Sequence, residues 1–184
     1  MKELSSMDSV QDIARHPLQR LDYFNEWGGK TWQRLMHHAF EHFLGVNLQG
    51  QQVLEIGTRY GKMACLFTLL GAKVIGFDMS RKYLSVAQKE ATKWKITQRI
   101  VFVLGRGELS IFKDNSFDVV FSKSVLVVVP GLARFLEEVR AKLKPGGKIV
   151  FLENPKGEGG CTSYERSDIG NGTIRKRVIS RHMR

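Results

Sequence analysis

From Gly50 onward, short apolar runs alternate with segments whose apolar residues recur at helical spacing. This is how a parallel sheet with covering helices reads. The runs are Gln52 to Ile56, Lys73 to Phe77, Arg99 to Val103, Phe117 to Phe121 and Lys148 to Leu152. Between them the spacing predicts helices over Gly61 to Leu70, Arg81 to Trp94 and Leu132 to Leu143. Ser80 is placed to cap the second, and Pro145-Gly146-Gly147 stops the third. Before Gly50, Trp32, Leu35, Met36, Ala39, Phe40, Phe43 and Leu44 predict one amphipathic helix over about 30–45, after a break at Trp27-Gly28-Gly29. Beyond Pro155, Gly157, Gly159 and Gly160 precede two polar runs around Asn171-Gly172, a dipeptide that favours a tight hairpin turn.

Right-handed crossovers then make a Rossmann-like α/β fold: a doubly wound, mostly parallel sheet with helices on both faces and an N-terminal helical cap. We expect residues 1–50 to form that cap and 51–184 the main domain. Ligands of such sheets bind outside the carboxyl ends of the strands, near the switch in strand order, so the chemistry is sought in the loops there.

Composition narrows the setting. A hydrophobic fraction of 42% over 184 residues suits a globular core. No apolar run exceeds Val125–Val129, far short of the ~20 residues of a membrane span, and no signal core follows Met1-Lys2. Cys65 and Cys161 stand apart, with no spacing for a zinc site or a disulfide framework, so a cytoplasmic protein without membrane contact is expected. The balance of 29 Lys+Arg against 18 Asp+Glu gives +11, which could draw the chain to nucleic acid, an anionic surface or an acidic substrate. It equally describes a solvated basic surface. Its one dense run is Arg175-Lys176-Arg177.

The first loop, Glu55-Ile56-Gly57-Thr58-Arg59-Tyr60-Gly61, leads an apolar strand through two glycines into a helix. Glycine lets a ligand approach the backbone and leaves helix N–H groups facing a carboxylate or phosphate. Asp78, at the end of the second apolar run, can accept hydroxyl hydrogens of a ribose. Each reading has a plainer counterpart: a bare strand-to-helix turn for the glycines, a helix cap for Asp78.

Two further stretches carry a resemblance. Gly105 to Asp118 contains Asp114-Asn115-Ser116-Phe117-Asp118, and Phe135 to Val150 contains Leu143-Lys144-Pro145-Gly146-Gly147. With the first loop and Asp78 they make residues 51–154 resemble the class I S-adenosylmethionine-dependent methyltransferases. The small-molecule branch related to the ubiquinone-biosynthesis enzymes is the nearest in pattern. The resemblance implies that Glu55, Gly57, Thr58, Arg59 and Gly61 hold the methionine part of S-adenosylmethionine and that Asp78 and Met79 hold the ribose and flank the adenine. It places Glu108 and Leu109 at the adenine edge and Ser122 near the sulfonium. Two positions depart from the family: Arg59 stands where a glycine is usual, so the loop could close less well or pair with the cofactor carboxylate, and Arg106 stands where an aspartate is usual.

Methyl transfer from a sulfonium needs alignment and a dry site more than a base. If the acceptor is a hydroxyl, His38 or His42 on the N-terminal helix could serve as that base from a lid, although each also reads as a polar flank. Lys123 would meet an acidic acceptor or simply cover the sheet edge. No third ligand accompanies the two histidines, so no metal is expected. The expected function is methyl transfer to a small-molecule acceptor. The alternatives are a nucleic-acid methyltransferase, which Ser122-Lys123-Ser124-Val125 does not favour, and a cofactor-binding protein without catalysis. Oligomeric state and acceptor identity are not written in the sequence.

Overall fold

A computed structural model describes residues 16, 19, 21–24 and 30–153, and the backbone of two strands at 161–166 and 174–179. Residues 1–15, the Trp27-Gly28-Gly29 break, the glycines at 157, 159 and 160, and Asn171-Gly172 lie outside the described residues.

Five parallel strands form the central sheet: β1 (Gln52–Ile56), β2 (Lys73–Asp78), β3 (Ile100–Leu104), β4 (Phe117–Lys123) and β5 (Leu143–Leu152), in the order β3-β2-β1-β4-β5. Their apolar side chains are covered from both sides, so the runs are continuous rather than alternating. The chain winds outward from β1 through β2 to β3, then returns to place β4 on the other side of β1. The switch therefore lies between β1 and β4, and the crevice opens at their carboxyl ends.

One face buries Val53, Val74, Val119, Phe121 and Val150 against α3 (Lys62–Leu69), α4 (Arg81–Lys93) and the N-terminal elements. α3 is apolar almost throughout and is buried from Met63 to Thr68, whereas α4 buries Leu84, Ala87 and Ala91 and exposes its lysines. The other face packs Leu54, Ile56, Phe77, Ile149 and Phe151 against Phe135 and Val139 of α5 (Leu132–Lys142). Ser80 caps α4 as expected, its Oγ accepting from the Tyr83 N–H at 3.3 Å.

Two local readings are refined by the structure, and a third concerns the tail. The predicted helix over 30–45 is α2 (Lys30–Ala39) followed by a wider π turn, Phe40–Leu44, which ends where Gly45 takes φ +76° and donates to the Phe40 carbonyl. Pro145-Gly146-Gly147 does not lie between helix and strand but inside β5. Leu143 already pairs with Phe117, and pairing resumes at Val119↔Lys148 across an irregularity, which accommodates a proline that cannot donate to a ladder. The tail forms an antiparallel pair, β6 (Cys161–Arg166) and β7 (Ile174–Ile179), in register from Cys161↔Ile179 to Arg166↔Ile174, while the turn expected at Asn171-Gly172 falls outside the described residues.

The Asp-Asn-Ser-Phe-Asp stretch has a structural explanation. Asn115 turns the chain with φ +54°, and the N–H groups of Asn115 and Ser116 donate to the last carbonyls of α5, at Ala141 and Lys142. Asp118 then accepts from the Gln52 N–H and from Lys144, joining the starts of β1, β4 and β5.

The N-terminal segment is part of the core. The short helix α1 (Leu21–Phe24) buries Leu21 and Phe24 in the same cluster as β1 and α3. Tyr23 holds it there: its hydroxyl donates to Glu90 Oε1 at 2.6 Å, Trp94 Nε1 donates to the same oxygen at 2.9 Å, and Lys62 Nζ lies 4.3 Å from the Tyr23 ring centroid. Burial first, then the hydrogen bond to Glu90, pushes the Tyr23 hydroxyl above the ordinary tyrosine value, so it remains a donor. Tyr23→Phe removes this link and is expected to cost about 1 kcal/mol, lowering Tm by about 2–4 °C in thermal unfolding. An unchanged Tm would show that the hydroxyl contributes nothing.

Candidate functional site

At the carboxyl ends of the strands lies a cavity of about 620 Å3. The β1 loop borders it with Glu55, Gly57, Thr58 and Arg59; β2 contributes Asp78 and Met79; Arg106 and Glu108 come from the β3 loop; Lys123 and Val125 follow β4. Residues that the sequence did not single out complete it, among them Phe24, Tyr83, Val128, Val129 and Arg134.

The β1 bend and the β2 acid are joined directly. The N–H groups of Gly57 and Thr58 donate to the Phe77 carbonyl at 2.8 and 3.1 Å, and the Arg59 N–H donates to Asp78 Oδ2 at 2.9 Å. Asp78 Oδ1 accepts from the Ser80 N–H at 2.8 Å. An ionised carboxylate has about four acceptor positions, so two such bonds leave capacity for two more donors. The amides of Gly57, Thr58 and Arg59 are thus spent within the fold and do not face a ligand. Gly61, the N-cap of α3, offers no side-chain cap, which leaves the first-turn amides of α3 as donors beside Met63, another residue of the cavity wall.

Gly57 is held to glycine on two counts. Its φ is +76°, and a Cβ there would stand 2.3 Å from Val125 Cγ2. Arg59 adopts φ +51° and still brings its amide to Asp78, so the departure from glycine does not keep the loop from reaching the acid. Its guanidinium lies over the rings of Tyr60 and Tyr83, 4.8 and 5.5 Å from their centroids. Glu55 is buried and accepts from Thr58 Oγ1 at 2.6 Å, which fixes the first turn of the loop.

Other predicted residues take supporting positions. Gly61 does not line the cavity; a Cβ there would meet Ala87 and Phe102, so its smallness serves helix packing. Leu109 is fully buried and pins the 3-10 turn Leu109–Ile111, and Ser122 is fully buried beneath the wall, its Oγ without a hydrogen-bond partner among the described residues. His38 and His42, the candidate bases, are not among the residues lining the cavity; their rings lie 4.2 Å apart, tilted by 51°, beside Phe43. The i, i+4 spacing reads instead as a surface ring pair. Lys123 does reach the cavity and lies 5.0 Å from the Trp32 ring centroid, tying β4 to α2.

A buried acid was missed. Glu153, just beyond β5, is 6% exposed; Oε1 accepts from the N–H groups of Val125 and Leu126, and Oε2 has no partner among the described residues. Burial raises its carboxyl above the ordinary glutamate value, against the lowering effect of those backbone bonds. The signal available in the sequence was the one that exposed Asp78, an acid directly after an apolar strand.

A bend and an acid meeting over one cavity at the switch of a doubly wound sheet is the arrangement in which such folds generally hold nucleotide ligands. The sequence matches the family model of the methyltransferase domain over residues 54–151, and the chain belongs to that family. It is 34% identical over 110 residues to demethylmenaquinone methyltransferase of Tropheryma whipplei, covering 60% of this chain and 44% of that protein. It is 34% identical over 102 residues to ubiquinone biosynthesis O-methyltransferase of Albidiferax ferrireducens, covering 55% and 40%. The chain spans less than half the length of these relatives. The S-adenosylmethionine-dependent methyltransferase of Geobacter sulfurreducens, solved with S-adenosyl-L-homocysteine, superposes with a TM-score of 0.52 at 26% identity over 57% of this chain and 42% of that one. That of Mesorhizobium loti gives 0.60 at 20% identity over 82% and 64%, a likeness of fold. Among the described residues no helix is long and apolar enough to cross a membrane.

Proposed function

We propose that this chain is an S-adenosylmethionine-dependent methyltransferase that transfers the methyl group in line to a small-molecule acceptor. The observation that carries the reading is the 2.9 Å bond from the Arg59 amide to Asp78, which brings the glycine bend and the acid to one cavity. The residues fit the cofactor: Gly57 leaves a cradle that a Cβ would fill, and Asp78 retains acceptor capacity for two ribose hydroxyls. When bound, S-adenosylmethionine supplies a methyl group already activated on a sulfonium.

The chain's own part is then positioning and exclusion of water. Asp78 would hold the ribose and Met79 flank the adenine. Glu108, whose carboxylate accepts from the Arg106 amide at 3.1 Å, would accept from the adenine amino group in place of the aspartate that Arg106 displaces. Glu55 and Thr58 shape the loop around the methionine part. Residues 1–50 would form part of the acceptor pocket, through Phe24 and the Trp32–Lys123 contact, and Lys123 would meet an acidic group of the acceptor. The remainder, 51–184, would hold the cofactor. A cytoplasmic location agrees with the cysteine usage and the lack of a membrane-spanning helix among the described residues. Support for a small-molecule acceptor comes from relatives named for menaquinone and ubiquinone biosynthesis. The loop after β4, which carries no Asn/Asp-Pro-Pro-aromatic signature, gives nothing to a nucleic-acid acceptor.

Calorimetric titration tests the cofactor assignment. Both S-adenosylmethionine and its demethylated product are expected to bind with one site per chain, and absence of heat with either would end the proposal.

A further inference from the structure

We propose that Glu153 is a positioning residue, a clamp that fixes the β4 loop as the wall of the cavity facing Gly57. After β4, the Ser124 N–H donates to the Leu152 carbonyl at 2.8 Å, and Ser124 itself takes φ +58°. The chain then enters a short 3-10 turn, Leu126–Val128, whose leading amides have no partner within the turn. Glu153 Oε1 receives two of them, from Val125 at 2.9 Å and Leu126 at 3.1 Å. Among the described residues no other side chain accepts from these amides, so Glu153 Oε1 fixes where the turn stands.

The turn matters because of what Val125 faces. Its Cγ2 occupies the space beside Gly57 that a Cβ would need, and Val125, Val128 and Val129 all line the cavity. Moving the turn outward would widen the gap between Val125 and the β1 bend, at the part of the cavity assigned to the methionine end of the cofactor. Glu153 does not line the cavity itself and so acts only through the backbone it holds.

The price of the arrangement is visible in the same residue. Glu153 Oε2 and Ser122 Oγ are both buried without partners among the described residues, and the register Ser122↔Phe151 puts them on one side of the sheet. An apolar side chain at 153 would avoid burying a carboxylate but would orphan two amides. Glutamine keeps an acceptor oxygen for both, which makes it the informative replacement.

Amide hydrogen exchange on the protein without ligand tests the clamp directly. Glu153→Ala should accelerate exchange at Val125 and Leu126 by about tenfold or more, with β1 amides unchanged, whereas Glu153→Gln should stay close to wild type. Unchanged exchange in Glu153→Ala, acceleration spread across β1, or a Glu153→Gln protein that exchanges like Glu153→Ala overturns the proposal. The second readout rests on the cofactor reading: affinity for S-adenosylhomocysteine should fall about tenfold in Glu153→Ala and stay within about threefold in Glu153→Gln. Equal affinity in both variants and wild type overturns the positioning role even if the turn loosens. If wild type does not bind S-adenosylhomocysteine, the functional reading fails and the exchange result alone decides the clamp.

Discussion

Asp78→Ala is expected to weaken binding of S-adenosylmethionine by about 100-fold or more. The carboxylate would accept from two ribose hydroxyls, and hydrogen bonds to a charged group contribute about 1.5–3 kcal/mol each. Alanine also strips the Arg59 and Ser80 amides of their shared acceptor, so the bend and the start of α4 lose their tie together. Asp78→Asn separates the two roles, because one oxygen remains and the other position becomes a donor facing an N–H or a hydroxyl. It should lie between alanine and wild type. Titration calorimetry gives the affinities, and thermal unfolding of the same proteins shows how much of the loss is global. Wild-type affinity in Asp78→Ala would remove the ribose assignment altogether.

Gly57→Ala should be at least as damaging, by a different route. The backbone there sits at φ +76°, which costs a residue with a Cβ on the order of 1 kcal/mol or more, and the added carbon would stand 2.3 Å from Val125 Cγ2. We expect a loss of about 2–4 kcal/mol in denaturant unfolding, together with loss of detectable cofactor binding. Adding Val125→Ala removes the steric conflict but not the backbone strain, so the double variant should recover part of the stability, and the two changes should be non-additive. Strict additivity would mean that Val125 and position 57 do not meet.

The sheet was legible because each strand is a continuous apolar run bordered by helix or turn signals, and every predicted run falls within about two residues of the strand observed, except β5. There the proline and glycines read as a stop, although the ladder begins before them; a bulge leaves no mark in the hydrophobic pattern. Gly57 and Asp78 were legible because chain order alone puts the ends of two adjacent parallel strands side by side. The residues behind them were not. Val125 looked like part of an apolar run, and its contact with Gly57 depends on a left-handed Ser124 and on Glu153, which lies 28 positions later. Tyr23 and Phe24 gave no sequence signal, since their partners, Glu90 and Trp94, are brought to them only by tertiary packing. For the two histidines the choice between a base and a polar flank stayed open, because helical spacing says which side chains share a face, not which way that face looks.

The part of the chain that matches the family begins at residue 54, yet the cavity it borders is closed partly by Phe24. The region matched by the family model and the folded unit therefore have different borders here. A fragment cut at the edge of the matched region would expose Trp94 and Phe67, against which Phe24 of α1 and Phe40 of the π turn pack, and would leave the cavity open on the flank that Phe24 closes. Any attempt to produce a minimal folded piece of this molecule has to start no later than Leu21.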